Sequence, residues 1–414
     1  MLGFLPGRSR HPHPVRLTAI AALIWMGIGL LHSNANPVSG IAHWLLNIAV
    51  WAPLFWTSRI FCTARTIHNT LVMLWLFNVL ASIIGVLQVY YPERFSPSAE
   101  FIRNVAGVYA DGLLIERTDG KQVWRPCGLS DTPGGAANSG SFAVVVGIVM
   151  FSVSNRRSIR LMAAIGILAG VFCIYVCEIR SILIITVLSA VILTTLQLMQ
   201  GRLTRAAAML LLIPLVAAAG IAWTKSISGE RVGERIRTLT ATSASNVYYQ
   251  NRGVFLEHSL FEELPKYPLG AGLGRYGMMF LYFGDPTIPG ANELWVEIQL
   301  TGWLYDGGLP LILLGYGAVI ATCYVTYKVA VSPKDRRSVA DYAAVVTALN
   351  AGWLAVTFNS PFFNSQQGMI FWLLNAVIYF VSISENYRTG SRTKPLRQQI
   401  DNCATITTTF SQPL

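Results

Sequence analysis

Arg125 in WRPCG, Arg180 in CEIRSILII, Arg252 in NRGVFLEH and Arg275 in GLGRYG place four guanidinium groups beside apolar or glycine-rich runs. Glu293 and Glu297 in ANELWVEIQL add two carboxylates four residues apart, which share one face if the segment is helical. Guanidinium groups grip a diphosphate through paired N–H donors, and a carboxylate can take the proton of a hydroxyl. The combination fits transfer of a group already activated on a lipid diphosphate, whose leaving phosphates gain negative charge as the bond breaks. Blander readings stand beside each member. Arg180 could pair with Glu178 or another helix, Arg125 could be a solvated loop residue, and Arg231, Arg235 and Arg237 read as a solvated face. His258 is either a base or an ordinary surface histidine.

The run YPLGAGLGRYG brings Gly270, Gly272, Gly274 and Gly277 within eight residues. Gly272, Gly274 and Gly277 spell G-x-G-x-x-G, which suggests a dinucleotide site only between a strand and a helix. Here the run follows a helical pattern, so a tight turn that lets backbone approach a ligand or a neighbouring helix is the better reading. No nucleotide, metal or cofactor signature is present. Cys62, Cys127, Cys173, Cys177, Cys323 and Cys403 give no disulfide framework, although a Cys127–Cys177 bridge is available.

The elements that must carry these residues are membrane helices. Of 414 residues, 53% are hydrophobic and only 12% charged, against about 25% charged in an ordinary soluble domain. That excludes a soluble enzyme and a disordered chain. Ten apolar runs suit a bilayer crossing: 15–33, 39–56, 70–90, 138–154, 161–178, 181–199, 206–223, 308–327, 340–358 and 369–383. With the N-terminus inside, the cytoplasmic segments hold 18 Lys/Arg and four acids, and the outer side 13 Lys/Arg and 16 acids. Both termini are therefore expected in the cytoplasm, and the net charge of +11 reports topology, with no nucleic-acid partner. The first apolar run reads as a retained helix rather than a removed signal. The expected fold is an all-α polytopic bundle over 1–385 with long outer loops at 91–137 and 224–307, and a disordered cytoplasmic tail over 386–414. Within the second loop, the spacing of Tyr248, Phe255, Leu256, Leu260 and Leu264 predicts a helix over 246–264 lying on the membrane surface. Trp295, Trp303 and Tyr305 suit the headgroup zone.

In these segments the chain resembles the bacterial O-antigen ligase and polymerase superfamily, which includes exopolysaccharide polymerases. The likeness covers most of the membrane region. Its short patterns, in order, are GVLQVYYPERF, RPCGLSDTPGGAANSG, IRSILIITVLSAVIL, NRGVFLEHSLFEELPKYPLGAGLGRYG and NELWVEIQLTGWLYDGGLPLILL. The resemblance implies an inverting, metal-independent glycosyltransferase of the bacterial inner membrane. It would move a glycan from undecaprenyl diphosphate to a saccharide or glycolipid acceptor at the outer face, with other polysaccharide-export components as partners. Arg252 matches the arginine ahead of the PLxGxGxG stretch, and Arg180 the one opening a span, with Ile179 in place of the usual serine. Both are expected to hold the diphosphate, assisted by Arg275 or Arg125. Ligases carry His-Asn before the next span, where this chain has Ala291-Asn292-Glu293. The departure favours a polymerase or exopolysaccharide-type member. Local similarity then nominates Glu293 as base, and spacing from Gly308 nominates Glu297. Two other classes compete. A lipid-linked oligosaccharide flippase would place ionisable residues inside the spans, where almost none is expected below Arg180. Cell-wall polymerases of the shape, elongation and division group use an outer-loop aspartate, for which Asp285 and Asp306 are available.

Overall fold

Apolar blocks bounded by arginine-rich turns become helices because a bilayer leaves their backbone groups no other partner. The computed structural model describes residues 12–59, 63–98, 100, 102, 114–116, 122–130, 134–154, 156–228, 246, 248–332 and 337–392. In chain order the first helices are α1 (Arg16–Ile28), α2 (Pro37–Trp51), α3 (Pro53–Trp56), α4 (Ala64–Tyr90) and α5 (Pro92–Phe95). A hairpin of β1 (Leu114–Glu116) and β2 (Gln122–Trp124) follows, antiparallel with Ile115 opposite Val123. Next come α6 (Gly135–Val153), α7 (Arg157–Cys177), α8 (Arg180–Met199) and α9 (Leu203–Ser228). Helix α10 is a continuous run of alternating π and α turns: Tyr249–Gly253, Val254–His258, Ser259–Glu263 and Leu264–Lys266. The last are α11 (Gly277–Phe283), α12 (Gln299–Ala330), α13 (Arg337–Val356) and α14 (Gln366–Arg392).

Among the described residues, eight helices are long and apolar enough to cross a membrane: α4, α6, α7, α8, α9, α12, α13 and α14. Helix α2 with Pro53–Arg59 passes the same test as a pair bent by 43°, and Arg16–Leu31 is a shorter apolar helix of about 24 Å. The chain is thus an all-α, multi-pass membrane protein, and all ten apolar runs lie on helices. The predicted 246–264 helix is present as α10. Helix α14 continues to Arg392, past the boundary expected at 385, and 393–414 lie outside the described residues, as do Arg231, Arg235 and Arg237.

Packing follows the rules of lipid rather than water. Helices α6 and α7 approach at Gly140 and Gly170, where a Cβ on Gly140 would lie 2.7 Å from the Gly170 carbonyl oxygen. Asn350 and Asn375 exchange side-chain hydrogen bonds of 2.7 and 2.9 Å between α13 and α14, and Thr326 of α12 donates to Asn375. Leu17, Met73, Leu211 and Leu313 stay exposed on the outside of the bundle, where acyl chains would cover them. At one end lie the short basic turns. Gln200 there donates to the carbonyls of Ala330 (2.8 Å) and Ala340 (3.2 Å), and Arg202 and Arg205 pair with Asp341. The hairpin, α10 and the glycine run lie at the opposite end.

Helix α12 is broken near that end. Gly307 (φ −169°, ψ 16°) and Gly308 (φ 62°, ψ −154°) leave helical geometry, and the freed groups are taken up by other segments. Trp25 Nε1 donates to the Gly307 carbonyl at 2.7 Å, the Leu309 N–H donates to Pro268 O at 2.9 Å, and the Ala271 N–H donates to Tyr305 O at 2.8 Å. The glycine run is the partner that makes this closure possible. Gly270, Gly272 and Gly274 all take positive φ, and a Cβ on Gly274 would collide with the backbone of Gly40 in α2. A methyl group on Gly308 would run into the Pro268 carbonyl. Gly274→Ala and Gly308→Ala should therefore each cost about 3 kcal/mol or more, from steric overlap added to left-handed strain. Gly277→Ala, with φ +68° but no atom within 4 Å of the new Cβ, should cost about 1 kcal/mol. Thermal unfolding of the three purified variants in detergent checks the order; equal losses would mean that strain rather than close approach governs the run.

Candidate functional site

Four arginines were nominated, and they divide into two sets. Arg275 sits 5% exposed within the glycine loop. Its Nη1 donates to Ala271 O at 2.8 Å and its Nε to Asn292 O at 3.1 Å, while its own carbonyl accepts from the Leu294 N–H at 2.7 Å. It ties loop to loop and turns no donor outward through those bonds. Arg125, Arg180 and Arg252 belong to a different neighbourhood. Arg252 lies in the first π turn of α10, half-buried, and pairs with Glu297. Burial, and after it the charge of Arg125, pushes its guanidinium below the ordinary arginine value; it stays charged. Arg125 follows β2, and the adjacent Pro126 carbonyl accepts the Gly134 N–H at 3.1 Å. Ile179 packs on that same Gly134, so Arg180, the first residue of α8, begins its helix beside the Arg125 turn. Arg180 is half-buried there.

Helix α10 is positioned over this rim by Ser259, 1% exposed, whose hydroxyl lies 2.6 Å from that of Thr301 in the first turn of α12. The π turns widen the helix where it carries Arg252, a distortion that recurs at functional sites. His258 is engaged by Glu262 (3.1 Å) and Glu263 (3.2 Å), which fits its plainer reading.

The two glutamates do not share a helix. Residues 291–298 form no helical turn, and α12 starts only at Gln299 after an extended Ile298 (φ −129°, ψ 156°). Glu293 is exposed. Glu297 is drawn in, with one oxygen on Arg252 and the other accepting from Trp295 Nε1 at 3.0 Å. Trp295 is 40% exposed, as an interfacial anchor should be, but Trp303 is fully buried. Its ring stacks on Phe363 with centroids 5.5 Å apart, so it belongs to the core, because residue 303 lies within α12 rather than in the loop before it. Tyr305 is likewise buried. Cys127, Cys173, Cys177 and Cys323 are free thiols, so the Cys127–Cys177 bridge is not formed.

Beneath the glycine loop lies a polar cluster whose members come from four segments. Asp306, just before the break in α12, accepts from Tyr276 Oη at 2.6 Å and lies 3.0 Å from His43 Nε2 of α2. Asn364 Nδ2 donates to Tyr276 Oη at 2.7 Å. His43, Tyr276 and Asp306 are all buried, and Asp306 Oδ1 has no partner among the described residues. Burial, and after it Asp306, holds the Tyr276 phenol well above its ordinary value, so it remains a donor. His43 lies inside the predicted run 39–56, whereas Asp306, expected in the outer loop just ahead of the run 308–327, falls within α12, so two ionisable side chains meet inside the bundle. His43 alone in the apolar run 39–56 was the available signal. Asp285, the other candidate aspartate, is exposed, and hydrogen bonds from Thr287 hold it below the ordinary value.

No family model matches the chain, and no curated protein matches it. What the site can do therefore rests on its own geometry: a half-buried guanidinium with a second positive charge nearby, and a carboxylate already in contact.

Cutting the buried pair tests the cluster. His43→Leu should cost about 3 kcal/mol, because buried Asp306 would be left with Tyr276 as its one side-chain partner among the described residues. Adding Asp306→Asn should recover at least half of that, since the amide oxygen still accepts from Tyr276. A thermal-stability double-mutant cycle reads the difference, and simple additivity would mean that the two side chains are not coupled.

Proposed function

We propose that this chain is a glycosyltransferase that moves a glycan from undecaprenyl diphosphate to an acceptor sugar hydroxyl, as a surface-polysaccharide polymerase or ligase. The observation that carries the reading is Arg252, half-buried in the electrostatic reach of Arg125 and paired with Glu297. On this reading the chain crosses the bacterial inner membrane ten times, with both termini cytoplasmic and the arginine rim facing the periplasm. The positive-inside count supports that orientation. Exposed Val254 and Phe261 on α10 suit a helix resting at the lipid interface.

The chemistry follows from charge. Arg252 and Arg180 hold the diphosphate with Arg125 assisting, and offset the charge that grows there as the anomeric C–O bond breaks. The acceptor oxygen attacks from the opposite face, inverting the centre, and its proton passes to a carboxylate. Glu297 is nearer the arginines than the exposed Glu293 and is the better candidate. Arg275 holds the loop and is set apart from substrate contact.

A second reading has one observation in its favour. The His43–Asp306 pair beside a broken helix is the kind of intramembrane ionisable group that transporters use, which suits a lipid-linked oligosaccharide flippase.

Polysaccharide profiling in a deletion strain complemented with variants separates these readings. Loss of long chains with single repeat units remaining identifies a polymerase, and long chains stranded on the lipid carrier identify a ligase. Arg252→Ala should fail to restore the wild-type profile. Arg252→Lys should lower transfer at limiting donor by roughly 10- to 100-fold, because lysine offers a point charge in place of paired donors. Full activity of Arg252→Lys, or repeat units trapped in the inner leaflet of the deletion strain, would sink the transferase reading.

A further inference from the structure

Glu297 and Arg252 were each nominated for a different step, yet they hold one another. The carboxylate has Arg252 on one oxygen and Trp295 Nε1 on the other, and only 17% of its side chain is exposed against 30% for that of Arg252. Each carboxylate oxygen already has a donor, and Nη1 of the guanidinium that a diphosphate would need already faces an anion. We infer that Glu297 is an internal counter-ion standing where a substrate phosphate binds, and that the diphosphate, by displacing it from Arg252, frees the carboxylate to act as base.

This rests on the diphosphate reading of the site and adds an order of events to it. The local backbone permits the exchange. Residues 295–298 run between two fixed points, the Leu294 N–H on Arg275 O at 2.7 Å and the Gln299 N–H on Thr357 O at 2.9 Å. Between them no helical hydrogen bond has to break, so a change of side-chain rotamer moves the carboxylate off Arg252. Charge sets the direction. Arg125, whose field is felt at Arg252, favours a ligand with two or more negative charges over a single carboxylate. Trp295 is a positioning residue: it keeps Glu297 close after release instead of letting it swing into solvent.

The step balances. The acceptor hydroxyl oxygen bonds to the anomeric carbon, its proton passes to the freed Glu297, and the electron pair of the breaking C–O bond leaves with the diphosphate held on arginine. With no donor bound, the base is masked, so an acceptor alone is not activated.

The test is binding of inorganic pyrophosphate to the purified full chain, by calorimetry, for wild type, Glu297→Gln, Glu262→Gln and Arg252→Gln. Removing a counter-ion should tighten binding, so Glu297→Gln should bind roughly 10- to 100-fold more strongly than wild type. Glu262→Gln removes an exposed charge from α10 and should leave affinity within about twofold. Arg252→Gln should lose binding. If Glu297→Gln binds no better than wild type while Arg252→Gln loses binding, the exchange is wrong and the diphosphate site survives. Equal tightening by Glu297→Gln and Glu262→Gln would reduce the effect to general electrostatics and also overturn it. If Arg252→Gln binds like wild type, the diphosphate reading itself fails.

Discussion

Inside a bilayer every backbone N–H and C=O must find its partner within the protein, and in this chain the demand is greatest at Gly307–Gly308. There α12 stops being a helix with its sides still enclosed, and the groups it frees would each cost several kcal/mol in hydrocarbon. Trp25, Pro268 and Ala271 satisfy them. That requirement fixes where the 268–277 loop runs, and the loop can run there only if its backbone comes within contact of α2 and α12. Glycine at 270, 272, 274 and 308 is the consequence rather than the mark of a nucleotide. Beneath the loop, Tyr276, His43 and Asp306 are buried because the seam closes over them.

The same closure positions the arginine rim. A loop sealed against α2 and α12 brings Arg275 between Ala271 and Asn292, and so determines how the chain returns toward Gln299. The return is non-helical and extended at Ile298, which leaves Glu297 on a short span of backbone with anchors at both ends. Ser259 and Thr301 join α10 to α12 directly above. Arg252 meets Glu297 as a result, without any contact between α10 and the glycine run being needed at that point. The seam and the helix starts are tied by hydrogen bonds between distant segments; the proposed exchange moves a single carboxylate side chain.

What the sequence discloses follows from which forces are local. Apolar blocks and basic turns are read residue by residue, so the eight long apolar helices, and the α10 helix from its 3.6-residue spacing, were legible, while the first two of the ten runs form a shorter helix and a bent pair. Side-chain type was legible too, which is why Arg252 and Glu297 could be nominated. The partner of each was not. His43 and Asp306 are 263 positions apart, and neither has a neighbour in sequence that betrays the other. The stretch 291–298 carries a helical spacing of glutamates but forms no helical turn, tied instead to Arg275 and Thr357, contacts from distant segments that outweigh local preference. Trp303 was placed at the interface by residue type, whereas the start of α12 at Gln299 carries it into the core.

The buried cluster bears on how the site is used. A group that carries protons or ions across the membrane must face first one side and then the other, and its ligands must be able to let go. His43, Tyr276 and Asp306 hold one another, Asn364 adds a fourth link, and the backbone groups released at the break are committed to protein partners rather than left for an ion. Opening such a cluster would mean lifting the glycine loop off two helices, breaking the seam on which the local fold depends. The arginine rim asks for no such motion. Exchange of one carboxylate for a phosphate replaces an anion with an anion and leaves every helix where it stands. On the proposed reading, a closed polar cluster beneath a rim whose counter-ion exchanges suits chemistry on a lipid headgroup at one face better than alternating access, and that asymmetry is the physical ground for preferring transfer to transport.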